Sequence, residues 1–422
     1  MSDWRLHTPI GLFDILPEEC EKKKRVENII NNVFVSMGYK EIETPSFEYY
    51  DVFSGDSGQI SQENMFKFFD EKGRILTLRP DITTSIARMA ATKMQEETLP
   101  IRLSYTGNVF RAEKTEGARQ REFTQTGIEL LGSDSPKADA EVIAAAIEAL
   151  YAVGINDFRV EIGQVAFFNG LVEQAKLSAE DTEKLRERID CKDSLGIKEL
   201  TEKLNLDDEI KSLMIALPDL FGDLSVIDKA DVFGLNDISK NALENIRSIY
   251  KLLESFGFSD VISIDLGMLQ SIDYYTGSIF KCYTHGVGFP VCAGGRYNNL
   301  VSKFGKDLSA VGVAFGVNRI LSALRKHENL EQDKFSYSVI FAENGLEKEA
   351  YSFAKTMREL GFCAVIYLDG DDKEKAEEYA KNIGAECLIT VLENETVLVS
   401  DFSKGESFNM PLEDFFEDIT RL

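Results

Sequence analysis

Hydrophobic positions near the start of the chain recur with the period of an α-helix. Between residues 18 and 37 the apolar side chains stand three and four residues apart, at Val26, Ile29, Ile30, Val33 and Phe34. This spacing places them on one helical face. The pattern therefore predicts an amphipathic helix over residues 18–37 that ends before Gly38, followed by an extended segment interrupted by Pro45.

Short apolar runs typical of β-strands follow, with few helical patterns between them. The strand-like runs cover residues 74–78, 101–109, 122–131, 158–162, 262–266, 278–282 and 311–316, and the helical patterns cover residues 137–153 and 319–327. Strands that follow one another without crossover helices favour antiparallel pairing. We therefore expect an α+β fold, with a mostly antiparallel sheet flanked by helices.

The pattern changes twice along the chain. Residues 177–259 read as short charged helices, which we interpret as a helical insertion, and after Lys334 strands alternate with helices at 346–360 and 373–383. Strands alternating with helices predict a small α/β domain. A chain of 422 residues also exceeds what one core usually supports. We predict a core domain over residues 1–330 and a second domain over residues 331–422.

Net charge narrows the classes of function. The chain has 47 Lys and Arg against 72 Asp and Glu, a formal charge of −25. Residues 331–422 hold 21 acidic and 9 basic residues, a charge of −12. Such a surface repels phosphate backbones, so we expect no tRNA or other extended nucleic acid as a partner.

Membrane and metal functions are not expected either. No apolar run approaches the roughly 20 residues of a membrane helix, so we expect a cytoplasmic protein. The cysteines are scattered and lack zinc-ligand spacing, which predicts reduced, packed thiols and no metal; they are Cys20, Cys191, Cys282, Cys292, Cys363 and Cys387.

The peptide LTLRPDITTSIARMA, residues 76–90, is the first segment with candidate binding groups. The Asp81 carboxylate, with the hydroxyls of Thr83 and Thr84, could hold an ammonium group. The alternative is structural, because Asp81 is also well placed to cap a helix.

The segment NVFRAEKTEGARQREFTQTGIELLG, residues 108–132, predicts a hairpin. Arg111 lies in its first strand, and Arg121, Gln125 and Glu129 share one face of the second because their spacings are even. Apolar Phe123 interrupts that face, which indicates a cleft wall. Surface ion pairs are the alternative interpretation.

Two glycine-bearing segments complete the set. In residues 266–300, the pair Gly294 and Gly295 either lets backbone approach a ligand or forms a tight turn between strands. The sequence there lacks the dinucleotide-binding pattern. In residues 310–324 a glycine-rich strand leads to Arg319 at a helix start.

Together these segments resemble the class II aminoacyl-tRNA synthetases over almost the whole chain. GYKEIETPSFE is similar to motif one, the dimerisation element, the Arg111 hairpin to motif two, and residues 316–319 to motif three. IDYYTG and CAGGRYNNL resemble the histidine-specific motifs of histidyl-tRNA synthetase. The resemblance implies that class's antiparallel fold and a homodimer formed by the core, with residues 331–422 resembling an anticodon-binding domain.

The resemblance also implies a pocket for free histidine. Asp81, which replaces the usual Glu, and Thr83 would meet the α-amino group, and Arg111 and Gln125 would face the carboxylate. The imidazole would be surrounded by Glu129, Tyr275 and Tyr297. A neutral ring with one donor and one acceptor needs opposed polar partners, and wrong ligands would leave those partners unpaired.

The chain departs from the synthetase pattern at positions that matter for catalysis. Gln270 stands where the synthetases carry an arginine before Asp-Tyr-Tyr, the Glu-Arg of motif three reads Asn318-Arg319, and motif two reads Glu113-Lys114-Thr115 in place of Arg-Pro. A neutral amide supplies no charge to a phosphorus centre. We therefore expect no catalytic residues and no cofactor, and interpret the retained arginines as a vestigial nucleotide site: Arg111, Arg121 and Arg319.

These losses, with the acidic tail, make the chain similar to the regulatory subunits of ATP phosphoribosyltransferase. RPDITTSIAR and REFTQTGIELLG fit that family better than the synthetases. The resemblance implies a non-catalytic protein of histidine biosynthesis that binds histidine and controls the short-form catalytic subunit. The alternative is a functional histidyl-tRNA synthetase.

Overall fold

The computed structural model of the chain describes residues 4–54, 61–112, 120–204, 206–269, 275–326, 337–343 and 345–420. Contacts divide the chain into two compact units, Met1–Leu330 and Glu331–Leu422. Across these described stretches, no helix has the length and apolar character to cross a membrane.

The helices are named α1 to α13 in chain order. They are α1 Pro17–Ser36, α2 Thr83–Lys93, α3 Pro136–Ala152, α4 Val165–Ala175, α5 Ala179–Asp190, α6 Ser194–Lys203, α7 Asp208–Ala216, α8 Ser225–Asp231, α9 Asp237–Ser255, α10 Val317–Lys326, α11 Glu347–Glu359, α12 Lys373–Asn382 and α13 Leu412–Thr420.

The strands are named β1 to β17 in the same way. They are β1 Lys40–Glu41, β2 Phe47–Tyr49, β3 Lys67–Phe69, β4 Ile75–Leu78, β5 Ile101–Phe110, β6 Glu122–Leu131, β7 Phe158–Gln164, β8 Phe221–Gly222, β9 Ile262–Asp265, β10 Ser278–Thr284, β11 Cys292–Arg296, β12 Ala310–Gly316, β13 Tyr337–Ala342, β14 Cys363–Ile366, β15 Cys387–Leu392, β16 Thr396–Asp401 and β17 Glu406–Pro411.

A nine-stranded sheet organises the first unit, in the order β1-β5-β6-β12-β11-β10-β7-β9-β8. Only the β1–β5 and β7–β9 pairs are parallel among these described strands. The predicted α+β fold with a mostly antiparallel sheet is therefore confirmed. A separate antiparallel sheet, β2-β4-β3, lies beside it in the same unit.

One face of the large sheet, called here the back face, carries the main core. Alternate strand residues such as Ile128, Val160 and Phe280 pack there against α1, α3 and α9. Helix α3 is buried on most of its surface because its sequence AAAIEAL presents small and branched apolar residues in nearly every direction. The opposite face, called the front face, is consequently left for α2 and the candidate site.

The glycine pair of the third segment lies inside a strand. Gly294 and Gly295 belong to β11, opposite Phe280 and Ile279 of β10, so the tight-turn interpretation was wrong. A Cβ at Gly294 would overlap the carbonyl oxygen of Gly312 and the ring of Phe280. Close backbone approach within the sheet explains these glycines.

Residues 177–259 form the helices α5 to α9 and the short strand β8. Strand β8 pairs with β9 at the edge of the large sheet, and α9 packs against α3 and α4. The helical character predicted for this segment is present, and its last helix is part of the main core.

The second unit has a five-stranded sheet in the order β14-β13-β15-β16-β17. Its first three strands are parallel and the last two antiparallel, and α11 and α12 pack on β13 and its neighbours. The Arg358 side chain donates two hydrogen bonds, at 2.8 and 3.0 Å, to the Ala364 carbonyl of β14 at the sheet edge. The sequence pattern did not predict β17 or α13.

Candidate functional site

Glycines make part of the front face unusually flat. Gly127 of β6, Gly312 of β12 and Gly295 of β11 lie on it, and a Cβ at each would overlap a neighbouring side chain. These neighbours are Tyr105 at Gly127, Glu129 at Gly312, and Tyr275 at Gly295. The glycines therefore form a floor on which a carboxyl group and two aromatic rings rest directly.

Glu129 is the centre of the site. Its side chain projects from β6 and the residue is only 1% exposed. The Thr83 hydroxyl donates to one of its oxygens at 2.7 Å, and the Tyr297 hydroxyl donates to the other. Burial raises the Glu129 pKa to about 8; the two hydroxyl bonds oppose this rise and the nearby Asp81 adds to it.

A second buried carboxyl group lies close by at Asp81. It accepts a hydrogen bond from the Thr84 backbone N–H at 2.8 Å and another from the Thr84 hydroxyl at 3.2 Å. Asp81 thus caps the first turn of α2, as the structural alternative proposed. Burial raises its pKa to about 6, while its Thr84 hydrogen bonds and the charge of Arg111 oppose the rise.

The remaining residues predicted for the pocket lie around these two carboxyl groups. The Arg111 Nε donates to the Pro80 carbonyl at 3.2 Å, and its guanidinium lies 5.3 Å from the centre of the Phe123 ring. Gln125 is half-buried on the front face of β6, and Tyr275 packs over Gly295. The structure thus brings Asp81, Thr83, Glu129, Tyr275 and Tyr297 together, with Arg111 beside Asp81. Their role in histidine binding stays a prediction.

Tyr105 belongs to the same cluster, and the sequence pattern did not identify it. Its residue is 2% exposed, and its hydroxyl is buried without a hydrogen bond among the described residues. Burial raises the pKa of Tyr105 well above its ordinary value, and the nearby Glu129 and Asp81 carboxyl groups add to the rise. In the sequence, Tyr105 is one apolar position of a strand, so nothing marked it as a site residue.

The arginines interpreted as a vestigial nucleotide site have specific neighbours. Arg319 donates to the Pro290 carbonyl at 2.9 Å and lies 5.3 Å from the centre of the Phe289 ring. The Arg121 side chain packs on Gly11, and its Nε is buried without a hydrogen-bond partner in the described part of the chain.

Asn318, which replaces the motif-three glutamate, joins the start of α10 to the start of β6. Its amide nitrogen donates to the Gln120 side chain at 2.6 Å, and its oxygen accepts from the Thr124 backbone at 3.4 Å. The other substituted positions, Gln270 and the triplet Glu113, Lys114 and Thr115, lie outside the described residues.

A buried ion pair lies behind the pocket on the back face. The Arg296 guanidinium donates to both oxygens of Asp139, at 2.6 Å from Nη2 and 3.1 to 3.2 Å from Nε. The Ser278 hydroxyl also donates to Asp139, and Arg296 donates to the Ser133 carbonyl at 2.8 Å. Because Arg296 directly precedes Tyr297, this network holds the backbone from which Tyr297 reaches Glu129.

The fold and pocket define the class of protein. The sheet itself does not require the floor of three glycines, and a front-face pocket on an antiparallel sheet backed by helices is the arrangement of a class II aminoacyl-tRNA synthetase-like protein. In agreement, the family model for histidyl-tRNA synthetase matches residues 11–320.

Full-length relatives narrow the assignment. The chain is 46% identical to the ATP phosphoribosyltransferase regulatory subunit of Acetivibrio thermocellus, over 96% of this chain and 97% of the relative. It is 42% identical to the protein of the same name from Ruminiclostridium cellulolyticum, again over 96% and 97%. The chain therefore belongs to the family of ATP phosphoribosyltransferase regulatory subunits, which share the histidyl-tRNA synthetase fold.

Solved structures agree with this. The ATP phosphoribosyltransferase regulatory subunit/histidyl-tRNA synthetase from Bacillus halodurans C superposes with a TM-score of 0.82 at 31% identity, covering 92% of this chain and 99% of that one. Histidyl-tRNA synthetase from Nostoc sp. PCC 7120 has the same TM-score at 23% identity, over 98% and 99% of the two chains, and so shows the fold alone.

Proposed function

We propose that this regulatory subunit binds free histidine in its front-face pocket, and that histidine binding controls the activity of the separate short-form catalytic subunit. The reaction controlled would be the first step of histidine biosynthesis. The observation that carries the proposal is the buried Glu129 carboxyl group, held between the hydroxyls of Thr83 and Tyr297. Burial of a carboxyl group is costly in its charged form, and a ligand that pairs with Glu129 would account for its place at the centre of the pocket.

Imidazole suits this carboxyl group chemically. The ring carries a donor and an acceptor on opposite sides, and Glu129 with the nearby tyrosines offers both kinds of partner. Asp81 and Thr83 would bind the ammonium group of histidine, and Arg111 and Gln125 its carboxylate. A ligand without a polar ring would offer Glu129 no hydrogen-bonding partner of its own, which penalises that ligand.

A regulatory role without catalysis agrees with the residues missing from the motifs. Gln270 provides no cation for a phosphorus centre. The second domain, with its charge of −12, would repel tRNA. We propose that the core forms a homodimer through its motif-one segment, which is the dimerisation element of class II synthetases. We also propose that the protein acts in the cytoplasm.

The test is inhibition of the assembled complex. The full chain is purified with the organism's short-form catalytic subunit, and turnover is measured against histidine concentration. Wild-type complex should be inhibited, and Glu129→Gln or Tyr297→Phe should raise the half-inhibitory concentration by about 5- to 150-fold, the factor for leaving a buried polar partner unmet. Glu122→Gln is the matched control, since it makes the same change on β6 outside the pocket.

One outcome would contradict the proposal directly. If both pocket variants assemble and remain inhibited at the wild-type histidine concentration, the effector acts elsewhere. If histidine inhibits through this pocket, reciprocity also requires that the catalytic subunit change histidine affinity by the factor with which histidine changes association, typically about 5- to 150-fold. Calorimetry of the subunit with and without its partner measures that factor.

The alternative function is a histidyl-tRNA synthetase. It is favoured by Arg111 and Arg121, which keep motif-two positions, and by the Arg121 Nε, which has no hydrogen-bond partner within the described stretches. ATP–pyrophosphate exchange with histidine separates the two functions. We expect no exchange from the purified chain, and robust exchange would overturn the regulatory assignment.

A further inference from the structure

Among the residues that the structure describes, no cation balances the Glu129 carboxyl group. The titratable groups that face it from every neighbouring element in the described chain are acids, namely Asp81 at the start of α2, Tyr105 of β5, Tyr297 after β11, and more weakly Tyr39. Tyr275 faces the tyrosines of this group, and Arg111 acts on Asp81. An ionised Glu129 would therefore be a buried negative charge without a counter-charge, which is strongly unfavourable.

The geometry shows that the site is built around this group rather than merely tolerating it. Both carboxyl oxygens have a hydroxyl partner, and Gly312 leaves the space that its carboxyl group fills. Thr83 and Tyr297 can donate to a carboxylate or rotate to accept from a carboxylic acid. The pocket can therefore hold either protonation state, and the charge balance decides which one is populated.

We propose that the pocket binds histidine together with one proton, which Glu129 and the imidazole ring share. This inference rests on the proposed histidine function and adds the protonation state of the ligand. In the empty pocket the proton resides on Glu129. In the complex the ring and Glu129 hold it between them, so that the buried carboxylate is matched by an imidazolium.

The proton balance then depends on pH. Below about 6.5, the usual ring pKa, free histidine already carries a ring proton, so the Glu129 proton is released to solvent on binding. Above about 8, the Glu129 pKa in the empty pocket, neither partner carries the proton and one is taken up from solvent. Between these values binding exchanges no net proton.

Because binding releases a proton at low pH and takes one up at high pH, the histidine affinity should follow a bell-shaped curve against pH. Each limb should lower affinity about tenfold per pH unit, because one proton must be lost or gained. The acid limb should steepen below about 6, where Asp81 becomes protonated and would lose its attraction for the ligand's ammonium group. Histidine control would thus be strongest near neutral pH.

The test is titration calorimetry of the full chain with histidine, from pH 5.5 to 8.8, in buffers of different ionisation enthalpy. We expect release of more than one proton at pH 5.5, because Asp81 must also lose its proton there, none near pH 7.2, and uptake of about one at the basic end. Glu129→Gln should lose the uptake at basic pH, whereas Glu122→Gln should keep the full profile. A histidine analogue with a triazole ring, a much weaker base, should lose the acid limb near 6.5.

The outcomes separate this inference from the proposed function. Uptake of a full proton at pH 7.2, or an affinity that stays constant between pH 6 and 9, would overturn proton sharing while leaving histidine binding in place. Uptake at basic pH that persists in Glu129→Gln would also overturn it, because another group would then carry the proton. Absence of histidine binding at every pH, with the catalytic subunit present, would overturn both.

Discussion

Arg296 and Asp139 form a bidentate ion pair across the main core, although they stand 157 residues apart in the sequence. Their side chains are 6% and 1% exposed. The pair ties the start of α3 to the end of β11, and the next residue is Tyr297. The ion pair on the back face of the sheet thereby helps to position the Tyr297 side chain in the front-face pocket.

Removing the charge of Asp139 should destabilise the protein. Asp139→Asn leaves the Arg296 charge buried and uncompensated, which costs about 3 to 5 kcal/mol of folding free energy. The matched control is Glu19→Gln, which breaks the exposed Arg325–Glu19 pair and should cost less than about 1 kcal/mol. Denaturant unfolding measures both, and equal losses would show that burial of the pair has no energetic weight.

The empty protein should lose stability as pH rises, because of Glu129. Its carboxyl pKa is raised from 4.5 to about 8 on folding, so between these values the unfolded chain ionises while the folded chain keeps its proton. Folding stability therefore falls with rising pH up to about 8 and is level above it. Glu129→Gln removes this dependence.

The measurement is the melting temperature of both proteins without histidine between pH 6.5 and 8.5, a range above the Asp81 pKa of about 6. The melting temperature of Glu129→Gln should rise relative to wild type across the range. A difference that stays constant with pH would show that Glu129 is ionised in the folded protein.

Tyr105 should contribute to ligand affinity but not to stability. Its hydroxyl has no hydrogen-bond partner among the described residues, so Tyr105→Phe removes an unsatisfied polar group and should leave the unfolding free energy unchanged or slightly higher. Histidine affinity should fall by roughly 1 to 3 kcal/mol. Tyr283→Phe, on the front face at the far end of β10, is the control for calorimetry. Equal histidine affinities for the wild type, Tyr105→Phe and Tyr283→Phe would exclude a contact between Tyr105 and the ligand.

Gly312→Ala should abolish much of the binding, and because its Cβ would also lie 2.7 Å from the Ile128 carbonyl oxygen, folding of the variant is verified by thermal unfolding. A Cβ at this position would overlap the Glu129 carboxyl group and force it from its place between Thr83 and Tyr297. We expect histidine affinity to fall at least about tenfold, the factor for a loss of 1.4 kcal/mol. Gly288→Ala, where a Cβ meets nothing within 4 Å, should bind like wild type. Unchanged affinity for Gly312→Ala would mean that the position of Glu129 does not matter.

Local patterns along the chain predicted much of the fold. Strand β6 has the predicted bounds, and α1 and α3 begin and end within one residue of prediction, because period-two and period-3.6 patterns are properties of adjacent residues. The glycine pair of β11 was ambiguous, since a glycine needed for close approach and one needed for a turn look alike in sequence. Only the pairing of β11 with β10 and β12 distinguishes them.

The pocket was predicted only as far as its residues carry familiar motifs. Glu129, Tyr275 and Tyr297 stand in such motifs, whereas Tyr105 stands in an ordinary strand. The absence of a cation near Glu129 in the described pocket depends on where Arg111 points, and that follows from the Pro80 carbonyl and the Phe123 ring. Such long-range geometry leaves no trace in local spacing.

The Arg358 side chain covers part of the exposed edge of the sheet in the second domain. Strand β14 ends the five-stranded sheet, and its exposed carbonyl groups would otherwise accept hydrogen bonds from a strand of another molecule. By donating twice to the Ala364 carbonyl, Arg358 occupies one of those acceptors from within the chain. This intramolecular cap leaves one acceptor fewer for edge-to-edge pairing with another copy of the chain, and so opposes aggregation.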